Sequence, residues 1–274
     1  MSNLKIYTAS PMSKSKSTNW QDALVNIVGH EPPKDSFELR TSFIESVLLD
    51  KDGNPITQAD IHNEIQRTIF NWESQGYRRG VVKAPYNTGK SQQLPIGLAV
   101  YLATRKPELE QLLISSDNAL AKKRILAIRA MVESQEYRYW CKENNFLPLQ
   151  YANRDTGSTE FILFKSRNRT GNPSFEAHGV LRGGTGQRAS YVWLDDICSD
   201  KDRQSKAHRD DVFERTSNVW IKRVHDQGFV YGICTPYHPQ DANSRLAKSG
   251  TFCVLEIAVN DDKTGYRVRE WVKD

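Results

Sequence analysis

Cysteine is scarce in this sequence, and the four cysteines stand far apart at Cys141, Cys198, Cys234 and Cys253. No C-x-x-C spacing occurs, so the sequence predicts neither a disulfide framework nor a zinc site, and a reducing compartment fits best. Long apolar runs are also missing, and the polar start, Met1 to Thr18, contains no hydrophobic segment. We therefore expect neither a secreted nor a membrane-embedded protein.

No charge of one sign dominates. The 38 lysines and arginines face 33 acidic residues, which gives a net charge of +5. Such a mild basic excess permits a polyanionic partner without requiring one. At 274 residues, 38% of them hydrophobic, the chain can build one large domain or two small ones.

A phosphate-binding loop is the strongest local signal. The apolar pair Val81-Val82 is followed by Ala-Pro-Tyr-Asn-Thr-Gly-Lys-Ser, in which Ala84 replaces the opening glycine of the strict pattern. In such loops backbone N–H groups cradle phosphates, the lysine meets the outer phosphates and the hydroxyl holds Mg²⁺. The predicted nucleotide-binding residues are Ala84, Pro85, Tyr86, Asn87, Thr88, Gly89, Lys90 and Ser91.

An apolar strand that ends in two carboxylates follows about a hundred residues later, as Tyr-Val-Trp-Leu-Asp195-Asp196. Asp195 is suited to hold a metal together with Ser91, and Asp196 to orient or deprotonate an attacking water. A strand that ends in acidic residues is common by itself. The two motifs in this order, with room for two strand–helix units between them, predict a nucleotide triphosphatase.

A helix is predicted just before the loop, between Thr57 and Gln75. Its apolar residues recur at helical spacing, as Ile61, Ile65, Ile69 and Trp72. This face is expected to lie in the core. Gln66 on the same helix has two interpretations, a core position or a reader of the adenine edge of a nucleotide.

Strands and helices alternate along the rest of the chain. Strands are predicted at Gly80–Lys83, Gln111–Ser115, Ser158–Lys165, Tyr191–Asp195, Gly228–Cys234 and Phe252–Ala258, and helices at Lys90–Ala103, Ala119–Ser134 and Lys206–Arg223. Pro95 falls in the first turns of its helix, where proline is tolerated. The alternation predicts an α/β fold with a mainly parallel sheet, helices on both faces and chemistry at the carboxyl ends of the strands.

Basic residues gather in two places. Lys122, Lys123 and Arg124 lie near the start of a predicted helix, which is unfavourable for the helix dipole unless an anion compensates. A solvated helix face and a DNA-backbone contact both remain open for them. Arg167 and Arg169 belong to a basic loop that leads into the glycine-rich stretch 179–186.

Four blocks, in order, resemble the large terminase subunits of tailed bacteriophages, and together they cover most of the chain. The first two blocks are the phosphate loop (Lys83–Ser91) and the second strand and helix (Leu112–Ala121). The third is the glycine/arginine loop that runs into the paired aspartates (Gly179–Asp196), and the fourth is the segment Gly232–Leu246. The final block, Gly-Ile-Cys-Thr-Pro-Tyr-His-Pro-Gln-Asp-Ala-Asn-Ser-Arg-Leu, is the most specific of the four.

The resemblance implies a P-loop NTPase of the additional-strand, RecA-like class with Walker A and Walker B motifs. It implies an ATP- and Mg²⁺-dependent motor that translocates double-stranded DNA into a procapsid. The implied partners are DNA, the portal protein, the small terminase subunit and further copies of the chain in a ring. The implied location is the cytoplasm of an infected bacterial host, with transient binding to the procapsid portal.

The resemblance also implies residue roles. Asp195 would bind metal through water, Asp196 stands where many members have glutamate, and Thr235 would sense the γ-phosphate and couple hydrolysis to motion. His238 and Asp241 are expected to stabilise the turn after that strand. Lys122, Lys123, Arg167 and Arg169 are candidates for the grip on DNA.

The sequence departs from the family pattern in the phosphate loop, where Tyr86 stands at about the place of an arginine that many terminases carry. Lys83 is a candidate replacement. The transition-state charge could instead be met in trans by Arg182 or Arg188 of a neighbouring subunit, because an arginine finger neutralises developing phosphate charge.

The expected domain organisation has three parts. Residues 1–33 form a flexible arm with a short helix around Trp20 to Val28, residues 34–260 the ATPase domain, and residues 261–274 the start of a linker to a C-terminal nuclease domain that the sequence does not include. Two alternatives remain open, a helicase- or recombination-type DNA-dependent ATPase and a nucleotide-regulated assembly scaffold.

Overall fold

The computed structural model describes residues 33–49, 53–165, 172–182, 186–259 and 265–272. An eight-stranded mixed sheet runs through them, in the order β3-β4-β2-β5-β6-β1-β7-β8. In chain order its strands are β1 (Arg79–Lys83), β2 (Gln111–Ser115), β3 (Phe161–Ile162), β4 (Phe175–Gly179), β5 (Ala189–Asp195), β6 (Val224–Cys234), β7 (Cys253–Val259) and β8 (Tyr266–Trp271).

The six central strands, from β4 to β7, pair in parallel, and the two edge strands, β3 and β8, pair antiparallel. All six central strands therefore end at the same edge of the sheet. Strand β6 lies between β1, which leads into the phosphate loop, and β5, which ends at Asp195. The predicted α/β architecture with a mainly parallel sheet is confirmed.

Helices cover both faces of the sheet. They are α1 (Phe37–Val47), α2 (Asp60–Ser74), α3 (Ala99–Arg105), α4 (Asn118–Glu133), α5 (Gln135–Glu143), α6 (Asp200–Gln204), α7 (Lys206–Arg215) and α8 (Ala242–Lys248). Helices α1 to α5 pack on one face of the sheet through a continuous buried core, and α7 and α8 pack on the other. Among the described residues no helix is long and apolar enough to cross a membrane.

Helix α2 has the amphipathic face that the sequence predicts. Ile61, Ile65, Ile69 and Trp72 are all buried. The indole of Trp72 lies so close to β1 that a Cβ atom on Gly80 would stand 2.3 Å from it. Glycine at that position therefore lets α2 approach the strand that leads into the phosphate loop.

The helix after the phosphate loop begins with a π-helical segment, Gln92–Leu98, which runs directly into α3. Pro95 lies inside this segment. Proline has no N–H to donate and its ring crowds the preceding turn, so a wider turn accommodates it. The predicted helix is present, but its first half is not a regular α-helix.

The prediction for the stretch between α5 and β5 was wrong in part. Of the predicted strand Ser158–Lys165 only β3 is regular. The carboxylate of Asp155 accepts from the backbone N–H of Leu163 at 2.7 Å and from that of Gly157 at 2.9 Å, and these bonds bend the chain. Strand β4 was not predicted from the sequence, although every residue of β4 is buried. Only Phe175 and Ala177 in β4 are apolar.

The prediction of a linker from residue 261 onwards was also wrong in part. Tyr266–Trp271 forms β8 and pairs with β7 over six residue pairs. The indole Nε1 of Trp72 donates to Glu270 Oε1 at 2.7 Å, which ties β8 to α2. The predicted arm, including the helix around Trp20 to Val28, lies outside the described residues, apart from Pro33.

Candidate functional site

The two sequence motifs meet at the carboxyl edge of the sheet, where β1, β5 and β6 end side by side. The backbone N–H of Ala84 donates to Cys234 O at 3.0 Å, so the phosphate loop leaves β1 while still bound to β6. The N–H of Asp196 donates to Ile233 O at 2.8 Å from the other side. Strand β6 thereby fixes the spacing between the loop and the aspartates.

The phosphate loop turns through two left-handed residues, Asn87 with φ 58° and Gly89 with φ 68°. Asparagine tolerates this conformation better than most residues, and glycine adopts it without strain. Alternation of left- and right-handed backbone turns successive N–H groups inward and makes a concave anion site. Thr88 Oγ1 donates to Pro85 O at 2.9 Å across the loop, and Tyr86 and Gly89 remain exposed to solvent.

Lys90 points into the space between the loop and β6. Its Nζ donates to Thr235 Oγ1 at 2.8 Å and lies 3.7 Å from Asp196 Oδ2. The lysine is buried, with 5% of its surface exposed, so its ammonium is held in one place by these two partners. A phosphate at the loop would meet a positive charge whose position is already fixed.

Ser91 and Asp195 are in direct contact, because Ser91 Oγ donates to Asp195 Oδ1 at 2.7 Å. Asp195 has no exposed surface, and burial raises the pKa of its carboxyl above the ordinary value while Arg124 opposes that rise. Hydroxyl and carboxylate oxygens are hard ligands that suit Mg²⁺, which keeps several waters and takes its other ligands from phosphates. This donor set fits the predicted magnesium site.

Arg124 on α4 reaches the same carboxylate from the opposite side. Its Nε donates to Asp195 Oδ2 at 2.5 Å. Two interpretations of Arg124 follow from the sequence, a solvated helix face and a DNA contact, and neither describes this ion pair. The helix α4 starts after β2, which is the neighbour of β5, and that adjacency exists only in the folded sheet.

Asp196 adopts a left-handed backbone conformation with φ 46°. Its Oδ1 accepts from the backbone N–H of Thr235 at 3.2 Å, and its side chain is 22% exposed. Unusual backbone conformations outside glycine concentrate at functional sites, where surrounding contacts hold them. The carboxylate of Asp196 therefore faces the loop with one oxygen bound and its orientation fixed.

The segment after β6 is held by Asp241, which is fully buried. Asp241 Oδ2 accepts from the N–H groups of Tyr237 and His238 at 2.9 and 3.0 Å, and its Oδ1 accepts from Ser244 N at 2.8 Å. The ring nitrogen Nδ1 of His238 accepts from Gln240 N at 3.0 Å. The expectation that His238 and Asp241 stabilise this turn is confirmed.

His62 on α2 supports the phosphate loop from behind, which the sequence analysis did not predict. Its Nδ1 accepts from Ala59 N at 3.1 Å, so Nε2 carries the proton and donates to Thr88 O at 2.9 Å. His62 stands 26 residues before Thr88 in the chain. No local pattern in the sequence joins two residues so far apart.

Gln66 and Lys83 do not face the site. Gln66 has no exposed surface, and its Nε2 donates to Gln93 O at 3.0 Å. This is the core interpretation of Gln66, and an adenine edge could meet its amide only after the side chain had moved. The Nζ of Lys83 lies 3.7 Å from Glu256 Oε2 on β7, away from the aspartates. Lys83 therefore does not replace a loop arginine in this conformation.

The two arginines proposed as trans fingers lie at opposite ends of the strands, Arg182 at the carboxyl ends and Arg188 at the amino ends. Arg182 follows the carboxyl end of β4, on the edge that carries the phosphate loop, and its Nη1 contacts Glu160 Oε1 at 3.2 Å. Arg188 is exposed and directly precedes β5, so it lies a whole strand length, roughly 20 Å, from Asp195. Arg167 and Arg169 lie outside the described residues.

Comparison with known proteins places the fold. No protein-family model matches the sequence, and no curated protein matches it. The structure is similar to the crystal structure of the HK97 bacteriophage large terminase, with a TM-score of 0.51 and 11% identical residues. The similarity covers 77% of this chain and 40% of the other chain, so this chain spans about two fifths of that terminase. The chain has a terminase-like fold.

Proposed function

We propose that this chain is the ATPase motor domain of a terminase large subunit, a P-loop NTPase of the additional-strand, RecA-like class. In that role it would hydrolyse ATP to translocate double-stranded DNA into a procapsid. The position of β6 between β1 and β5 supports the additional-strand class. The terminase-like fold supports the packaging role over that of a helicase or a recombination ATPase.

The observation that carries the proposal is the convergence of Lys90, Ser91, Asp195, Asp196 and Thr235 at the carboxyl edge of three adjacent strands. Lys90 and Ser91 come from the loop after β1, the aspartates from the end of β5, and Thr235 from the end of β6. Ligands of open parallel sheets bind at this edge. A phosphate at this loop would meet the lysine directly, with the hydroxyl and both carboxylates beside it for the magnesium and the attacking water.

Each residue has a task in the proposed hydrolysis. Lys90 would bind the outer phosphates, Ser91 would ligate magnesium, and Asp195 would accept from a metal-bound water. Magnesium, when bound, shields phosphate charge and orients the phosphates. Asp196 would align the attacking water, and its bond from the N–H of Thr235 links it to the segment after β6.

The proposed assembly is a homo-oligomeric ring that works on the portal protein with the small terminase subunit. It would act in the cytoplasm of an infected bacterial host and bind the procapsid portal transiently. Contacts with DNA would be salt-sensitive and largely independent of sequence, because they are made to phosphates. Arg182 fits a trans finger better than Arg188, because Arg182 lies on the edge of the sheet that carries the phosphate loop.

The experiment that tests the proposal is Mg²⁺-dependent ATP hydrolysis over a wide range of protein concentration. We expect turnover per subunit to rise with concentration and to be lost in Lys90→Ala and Asp196→Ala, while Asp200→Asn, an exposed carboxylate on α6, retains it. Nucleotide binding without hydrolysis, unaffected by Asp196→Ala, would indicate a nucleotide-regulated scaffold. Hydrolysis unchanged by Lys90→Ala and Asp196→Ala would refute the ATPase assignment.

A further inference from the structure

We propose that Arg124 is a positioning residue of the nucleotide site, which fixes the carboxylate of Asp195 for the magnesium–nucleotide complex. This inference rests on the proposed function, because it concerns how the same site holds its ligand. It assigns a role in the site to helix α4, which neither sequence motif includes.

The geometry of Asp195 carries the first step. Its two carboxylate oxygens have different partners, Ser91 Oγ on Oδ1 at 2.7 Å and Arg124 Nε on Oδ2 at 2.5 Å. Partners on both sides leave the carboxylate a single orientation about its last bond. The oxygen that faces the phosphate loop is therefore the one that Ser91 already contacts.

Burial carries the second step. Asp195 has no exposed surface, and the side chain of Arg124 is only 16% exposed. A buried charge is costly unless it is paired and hydrogen-bonded. Arg124 is the cation that contacts Asp195 in the part of the chain that the structure describes, since Lys90 Nζ is directed to Thr235 and Asp196 instead.

The phosphate loop itself contains no arginine, so a guanidinium must reach the site from another element. Tyr86 stands in that loop, and no arginine is present between Ala84 and Ser91. Helix α4 thus brings a guanidinium to the site through Asp195. Arg124 donates to this carboxylate, and Ser91 of the phosphate loop donates to its other oxygen. In metal sites, residues that orient a ligand in this way typically contribute 10- to 100-fold to metal affinity.

The test measures nucleotide affinity with and without Mg²⁺, so that it needs no turnover. Wild type is compared with Arg124→Gln, Arg124→Lys, Asp195→Asn and the double variant Arg124→Gln/Asp195→Asn. Arg129→Gln is the matched control, because Arg129 lies on the same helix but outside the site. Its Nη2 forms an ion pair with Asp155 Oδ1 at a distance of 3.0 Å. Circular dichroism verifies that each variant is folded.

We expect Mg²⁺ to strengthen nucleotide binding by wild type and by Arg129→Gln. Arg124→Gln should lose roughly 10- to 100-fold of that enhancement, and Arg124→Lys should recover part of it. The double variant should lose no more than Asp195→Asn alone, because Arg124 acts through Asp195. In the absence of metal, the melting temperatures of wild type, Arg124→Gln, Asp195→Asn and the double variant should show the same lack of additivity.

Two results would overturn the inference alone. The first is a full Mg²⁺ enhancement in Arg124→Gln, and the second is a loss in the double variant equal to the product of the two single losses. If Arg124→Gln is unfolded, the same comparison is made with Arg124→Lys and the double variant Arg124→Lys/Asp195→Asn, and a loss in that double variant equal to the product of the two single losses refutes positioning. If wild-type protein binds no nucleotide, the proposed function fails together with the inference. That result differs from the two above, in which wild type still binds nucleotide.

Discussion

The hydroxyl groups of Tyr86 and Tyr237 contact each other and join the phosphate loop to the segment after β6. Their rings meet edge to face with centroids 6.0 Å apart, and Lys90 Nζ lies 5.6 Å from the centroid of the Tyr86 ring. This hydrogen bond links the two loops at the exposed Tyr86, whose surface is 54% exposed, in addition to the buried bonds that Thr235 makes to Lys90 and Ala84.

Removal of this link should speed nucleotide entry. In Tyr86→Phe the ring near Lys90 is retained but the bond to the hydroxyl of Tyr237 is lost, and Tyr237→Phe removes the same bond from the other side. We expect the association rate of a fluorescent nucleotide, measured by stopped flow, to rise roughly twofold to tenfold, as loss of one hydrogen bond of about 0.5–1.5 kcal/mol allows. Tyr139→Phe, another exposed tyrosine, should leave the rate unchanged, and equal rates in all four proteins would contradict the prediction.

Thr235 should separate nucleotide binding from hydrolysis. Its Oγ1 accepts from Lys90 Nζ at 2.8 Å and donates to Ala84 O at 3.2 Å. Thr235→Val removes both bonds without changing the shape of the side chain, so Lys90 loses its neutral partner and has only Asp196. We expect turnover to fall roughly 10- to 100-fold, the effect of one lost bond to a charged group.

The control for that variant is Thr235→Ser, which retains the hydroxyl and should retain most of the turnover. Nucleotide affinity should change much less than turnover in both variants, because the phosphate loop itself is intact. A valine variant with the turnover of wild type would show that Thr235 has no part in the coupling.

Asp241 should be the main determinant of the conformation of the segment after β6. It is fully buried, accepts from three backbone N–H groups, and caps α8 by accepting from the N–H of Ser244. Asp241→Ala leaves those N–H groups without their acceptor. We expect the free energy of unfolding, measured in urea, to fall by about 2–4 kcal/mol. Asp200→Ala, at an exposed carboxylate, should stay within about 0.5 kcal/mol of wild type.

The sequence predicted the elements whose signals are local. Helix α2 carries an apolar face at regular spacing, and β5 is an apolar run that ends in two charges, so their types and positions follow from the pattern. Strand β4 was missed because Glu176 and His178 interrupt its apolar residues. Their burial depends on packing against the other face of the sheet, where His178 stacks on Trp220 with ring centroids 5.3 Å apart.

The candidate site was predictable only where its residues belong to motifs. Lys90, Ser91 and Asp195 stand in two short stretches with recognisable chemistry. Arg124 and His62 reach the site from helices that no motif includes, and their partners are 71 and 26 residues away in the chain. The basic cluster that contains Arg124 appeared unfavourable for its helix, but Arg124 is paired with Asp195 on a neighbouring strand and Lys122 with Glu160.

A buried ion network around Arg40 joins α1 to the end of α2. Arg40 Nη2 contacts Asp35 Oδ2 and Glu73 Oε2, both at 2.6 Å, and the side chain of Arg40 is 3% exposed. Arg40→Met leaves two carboxylates without their shared cation. We expect it to lower the free energy of unfolding in urea by about 3–5 kcal/mol. Arg67→Gln, which breaks the exposed contact with Glu64, should cost less than about 1 kcal/mol, and similar losses in both variants would contradict the network's role.

Glu160 should restrain Arg182 in a subunit that has no neighbour. Its Oε1 contacts Arg182 Nη1 and Lys122 Nζ, each at 3.2 Å, and the hydrogen bonds from Lys122 and Arg182 hold the pKa of the Glu160 carboxyl below its ordinary value. Glu160 is therefore ionised at neutral pH. If Arg182 is the trans finger, a phosphate in the neighbouring subunit must compete with this carboxylate for the guanidinium.

Glu160→Gln retains the shape of the side chain but removes the negative charge. We expect the protein concentration that gives half-maximal ATP turnover to fall roughly twofold to fivefold, because an exposed ion pair contributes about 0.2–1 kcal/mol. Glu108→Gln, at an exposed glutamate just before the start of β2, controls for the change in net charge. The effect must disappear in an Arg182→Ala background; if it persists there, Glu160 acts through Lys122 or through the overall charge, and Arg182 is not the residue that a neighbour's nucleotide recruits.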